Sequence, residues 1–113
     1  MNLYDLSGSG KGSEKFDQLF SMDGVTVERI ISHGQSTPEG EWYDQDWDEW
    51  VLLISGKAGL LLDTSSEVIE LLPGDHLLLP SHQKHRVEWT DPDQPTIWLA
   101  IHFSTSQGGS NDG

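Results

Sequence analysis

The 113-residue chain contains no cysteine, which excludes disulfides and thiolate metal sites and fits a reducing compartment. Bases are nearly as scarce. Six Lys and Arg stand against 19 Asp and Glu, for a net charge of −13. Phosphate backbones and anionic membrane surfaces are repelled by such a chain, so neither nucleic acid nor membrane is an expected partner. No apolar run approaches the ~20 residues of a membrane span. The opening MNLYDLSGSGKGSEK has neither the charged head nor the apolar middle of a signal peptide, and a cytoplasmic location is the expectation. No Gly-rich phosphate loop opens a helix, no serine sits in a nucleophile elbow, and no basic stripe is present. Past residue 21 there is no helical periodicity, and no segment repeats.

What remains is a series of short strands. Ser13 reads as a cap for a short helix over residues 14–20, with Phe16, Leu19 and Phe20 at helical spacing. Val25–His33 alternates, and a long loop follows through Asp48. Strands are expected over Glu49–Ser55, Lys57–Asp63, Glu67–Leu71, His76–Leu79, His85–Thr90 and Thr96–Ser104, separated by Gly, Pro, Ser and Asp turns. The fold class is therefore all-β, a small barrel or jelly roll with a short N-terminal helical segment. The expected organisation is an N-terminal segment over 1–24, one β domain over 25–104 and a disordered tail over 105–113.

The strand faces locate the chemistry. In GEWYDQDWDEWVLL (residues 40–53) an acidic, aromatic loop runs into an apolar strand with Glu49 at the join. Alternation groups Glu49 with Val51 and Leu53, and Trp50 with Leu52 and Ile54. Both faces are apolar, so both need cover, and a homodimer through a sheet face would supply the outer one. His85, Val87 and Trp89 share a face, as do Trp98, Ala100 and His102. An interior holding Glu49, His85 and His102 needs partners for its charges. A divalent zinc, iron, manganese or nickel ion would satisfy a carboxylate and an imidazole together. Arg29 and His33 also share a face, where an arginine at the mouth would grip a substrate carboxylate or phosphate.

The stretch GDHLLLPSHQKHRVEW (residues 74–89) resembles the second motif of the cupin superfamily. Gly74, Pro80 and His85 match its positions, His82 replaces its inner glycine, and Trp89 replaces its final asparagine. Residues 43–59 resemble the first motif through Glu49 and Gly56, with Tyr43 and Gln45 where that motif has two histidines. The resemblance spans roughly residues 25–103. It implies a β-barrel whose metal ligands include Glu49 and His85, with Gln45 completing the set through its amide oxygen. Tyr43, His82 and His102 are further candidates, and Trp89 and Trp98 are candidate pocket walls.

Two functions follow. One is a metal-dependent small-molecule site, enzymatic in the manner of an oxygenase or isomerase. The other is a metal-free module that binds a small molecule in the same pocket, with Glu49 and His85 serving only as hydrogen-bonding groups.

Overall fold

The computed structural model describes residues 2–104, so the expected tail lies outside the described residues. Eight strands follow one another: β1 Lys15–Met22, β2 Val25–Ser32, β3 Asp48–Ser55, β4 Ala58–Leu62, β5 Ile69–Leu71, β6 His76–Leu79, β7 His85–Thr90 and β8 Thr96–Phe103. They form two antiparallel sheets, one ordered β1-β2-β8-β3-β6 and the other β5-β4-β7. The all-β expectation holds, with two corrections. The sheets face one another as an open jelly-roll-like pair and do not close into a barrel, because no named strand of one pairs with a strand of the other. And among the described residues there is no helix, hence none able to cross a membrane.

The segment expected as the N-terminal helix is β1. Eight residues cannot sustain a helix by themselves, whereas a ladder against β2 pairs the backbone of both strands. The spacing that suggested a helical stripe has another origin. Phe16 pairs with Ile30, but a register shift at Leu19 sets Phe20 opposite Val27. Ile30 and Val27 lie on opposite faces of β2, so the two phenylalanines do too.

The core fills the space between the sheets. Val51, Leu53, Trp98, Ala100 and Leu79 from the large sheet meet Ala58, Leu60 and Leu71 from the small one. Gly56 makes the turn out of β3. Its φ is +81°, and a Cβ there would sit 2.6 Å from the Pro95 carbonyl oxygen, so a side chain fails on both counts.

The loop between β2 and β3 is held against the free edge of β7. Thr37 N donates to Val87 O (2.9 Å) and Tyr43 N to His85 O (2.8 Å), while His85 N donates back to Tyr43 O (3.1 Å). Arg86 adds bonds to the carbonyls of Thr37, Pro38 and Glu41. This strapping covers a sheet edge that would otherwise be open and carries Tyr43 and Gln45 to the space between the sheets, where Gln45 is half-buried and Tyr43 remains exposed.

Candidate functional site

Three strands deliver three titratable side chains to one place. Alternation along β3 turns Glu49 inward with Val51 and Leu53, leaving it 6% exposed. His102 is directly opposite Glu49 in the β3–β8 ladder, and its Nε2 is 3.5 Å from Glu49 Oε2. His85, 7% exposed at the start of β7, comes from the facing sheet and places Nε2 4.0 Å from Glu49 Oε1. These atoms line a cavity of about 600 Å³, counting the solvent in its mouth. Its walls are largely apolar, with Val51, Leu60, Leu79, Val87 and Trp98 deep inside and Phe16 and Ile30 along the β1–β2 side.

Hydrogen positions follow from the partners. His85 Nδ1 lies 2.9 Å from the Gln83 carbonyl oxygen, which can only accept, so Nδ1 carries the hydrogen. In the neutral ring Nε2 is then an acceptor, and it faces Glu49 Oε1, another acceptor. Oε1 is buried and has no hydrogen-bond partner among the described residues. Protonation of His85 would not bridge the gap, since 4.0 Å exceeds hydrogen-bond reach. The arrangement leaves a place for a donor between the two atoms.

The electrostatics are those of an acidic pocket. Hydrogen bonding to Glu49 raises the pKa of His102 above its ordinary value, against burial, which lowers it. Burial raises Glu28, with Glu49 adding to the effect and His102 opposing it. Burial likewise raises the Tyr43 phenol, helped by Glu14 and Glu49, so it stays a neutral donor. Two rings brace the imidazoles. Tyr43 stacks on His85 with centroids 5.4 Å apart, and Trp47 tilts over His102 at 5.3 Å.

Of the residues singled out in the sequence, Glu49, His85, Gln45, Tyr43, Trp98 and His102 line this one cavity. His82, Trp89 and Arg29 do not. His82 is exposed in the turn after β6, with φ +63° and Nδ1 2.9 Å from Asp44 Oδ1. The glycine position of the motif thus has a left-handed backbone here, with histidine in it. Trp89 departs from the face of His85 and Val87 because the β4–β7 register shifts: Leu60 pairs with Val87 but Gly59 with Trp89. The indole covers Gly59, where a Cβ would come within 2.7 Å of Trp89 Cδ1. Arg29 is on the outer face of β2 and is 3% exposed. It bonds Asp17 at 2.5 Å and the carbonyls of Asn2, Leu3 and Asp5, so its guanidinium is committed to holding the N-terminal segment.

Glu14, Phe16 and Glu28 are cavity residues that the sequence reading passed over. The helix expectation hid the first two. Glu28 shares the even-numbered face of β2 with Ile30, and that face was legible from alternation alone.

Whether a metal ion suits this place turns on the donors. Catalytic zinc centres draw on three protein ligands. Glu49 and His85 are present, but positions 43 and 45 supply a phenol and a neutral amide. Among the described residues no three His, Asp or Glu side chains form a group able to hold a metal ion. With His102 the place offers a carboxylate and two imidazoles, but as they stand these side chains are not arranged to hold a divalent ion.

No family model and no curated protein matches this chain. Solved structures do. A protein from Ralstonia eutropha JMP134, provisionally named a mannose-6-phosphate isomerase, is 43% identical over 92% of this chain and 96% of its own, with a TM-score of 0.87. A cupin superfamily protein from Desulfitobacterium hafniense DCB-2 is 21% identical over 85% of this chain and 82% of its own, at a TM-score of 0.70. The polyketide cyclase RemF from Streptomyces resistomycificus is 20% identical over 83% and 67%, also at 0.70. The last two likenesses concern the fold alone.

Proposed function

This chain belongs to the cupin superfamily, and we propose that it binds a small organic molecule between its sheets without a resident metal, on a centre made by Glu49, His85 and His102. One observation carries the reading: Glu49 Oε1 is buried, lines the cavity and lacks a hydrogen-bond partner. A buried acceptor left unpaired costs about 1–3 kcal/mol, and a ligand donor recovers that cost on binding. The apolar walls supply the rest of the affinity, and the few polar groups set orientation.

The centre also has the parts for moving a proton. Glu49 is an acceptor facing the ligand, and His102 stands behind it as a proton source or sink at 3.5 Å. Isomerase chemistry of the kind named for the Ralstonia protein needs a base with an acid nearby, and this pair is compatible with it. The phosphate in that name finds no lysine or arginine among the residues lining the cavity. The half-exposed outer residues Trp50, Leu52, Leu99 and Ile101, with the exposed Leu78, support a homodimer through the large sheet, which light scattering would reveal as a doubled mass.

Elemental analysis of protein purified without chelator tests the reading. The expected result is well under one equivalent of any divalent metal, with fragment binding detected at the Trp98 indole by NMR. A stoichiometric ion that disappears in His85→Ala would overturn it in favour of a metal centre on Glu49, His85 and Gln45.

A further inference from the structure

The polar groups of the cavity are unbalanced in a way that specifies the charge of its ligand. Three carboxylates, Glu14, Glu28 and Glu49, line it against two imidazoles. With the imidazoles neutral the sum is negative, and no lysine or arginine offsets it. All six basic residues of the chain lie among the described residues, and none lines this cavity. Lys15 and Arg29 bond Asp17, Arg86 bonds Glu88, and Lys11 lines a separate small hollow beside Asp91. Lys57 and Lys84 are exposed.

An acidic cluster alone would say little. The deep end adds an independent requirement. Glu49 Oε1, in a side chain only 7% exposed, and His85 Nε2 face one another 4.0 Å apart as two acceptors. A single nitrogen placed about 2.8 Å from each would hydrogen-bond both, provided it carries at least two hydrogens. A hydroxyl has only one to give, a phosphate or carboxylate oxygen has none, and a water or neutral amide that bridged the two would leave the charge of Glu49 uncompensated. An ammonium has three. It would also neutralise the buried Glu49, and the apolar walls would take the body that carries it.

We propose that the cavity selects an organic cation, an ammonium borne on an apolar or aromatic body, and turns away phosphorylated and carboxylated molecules. The inference rests on the small-molecule reading above and adds the chemical class of the ligand.

Calorimetric titration of the full chain in chelator-containing buffer tests it with three probes of similar size: benzylammonium, benzyl alcohol and phenyl phosphate. Benzylammonium is expected to bind about tenfold more tightly than the alcohol, as a charge-assisted bond outweighs a neutral one, and phenyl phosphate more weakly than both. Glu49→Gln is expected to reduce the preference for the cation to less than about threefold, because the cation loses more than the alcohol does, and Glu28→Gln to reduce it by a smaller factor. Equal binding of cation and alcohol overturns the inference and leaves the small-molecule reading standing. Phenyl phosphate binding as tightly as benzylammonium overturns it too, as does a tenfold preference that survives both substitutions. Binding of none of the three overturns both readings together.

Discussion

Replacing Glu49 by glutamine should make the ligand-free protein more stable. In the wild type Oε1 is a buried acceptor with no partner, set against a second acceptor, His85 Nε2. An unsatisfied buried acceptor costs about 1–3 kcal/mol, and more when it bears charge. Glutamine changes the pairing while keeping the shape. Its amide NH₂ can face His85 Nε2 as a donor and reaches it once a small side-chain rotation closes the 4.0 Å gap, and its oxygen can face His102 Nε2, 3.5 Å away in the wild type. What is lost is the ionic part of the His102 contact. His102 is partly exposed, so that part is worth roughly 0–1 kcal/mol. The balance is a gain of about 1–2 kcal/mol, or about 4–8 °C in Tm for a domain of this size. Thermal unfolding by circular dichroism of dialysed protein measures it directly. A Tm that falls by several degrees would refute the reasoning, because it would mean that Glu49 is satisfied in the free protein by something that stabilises the fold. A gain in stability from a substitution that weakens binding is the pattern expected of a side chain kept for a ligand.

Three further outcomes are expected. His102 has a pKa raised above 6.5 by its bond to Glu49, so its contribution is complete below about pH 6.5 and is lost as pH rises through the higher folded value. Urea midpoints should fall across that window in the wild type and stay flatter in His102→Gln, and parallel profiles would count against the pair. Gly59→Ala would force the Trp89 ring from its seat, costing about 2 kcal/mol by overpacking; the cost should shrink in a Trp89→Ala background, and an equal cost there would exclude the clash as its cause. Arg29→Ala would leave Asp17 with Lys15 alone and release the carbonyls of Asn2, Leu3 and Asp5. A loss of about 2–3 kcal/mol is expected, with faster amide exchange over residues 2–9, and unchanged exchange there would argue against the tether.

Much of the site was legible because β structure has a period of two. Once Val51 and Leu53 were taken as core, Glu49 had to point inward with them, and Trp98, Ala100 and His102 followed the same logic. The second motif added His85, and the left-handed φ of His82 gives a physical reason for the glycine that the motif has at that position. Other features were out of reach of the period. A register shift in β7 takes Trp89 off the face of His85 and Val87. Another in β1 produces spacing that imitates a helix. Both are one-residue slips set by the partner strand, and neither leaves a local mark.

By itself, then, the order of residues determined the strand character of the chain, the inward side of β3 and β8, and the acidity that disfavours anionic partners, since these depend on side-chain alternation and summed charge. Only the tertiary structure decided that Glu49 meets His102 in a ladder and His85 across the sheets, that Arg29 is committed to the N-terminal segment, and that every basic residue lies away from the cavity. Those outcomes depend on which strands become neighbours and in what register, a choice made by pairing and packing over the whole molecule.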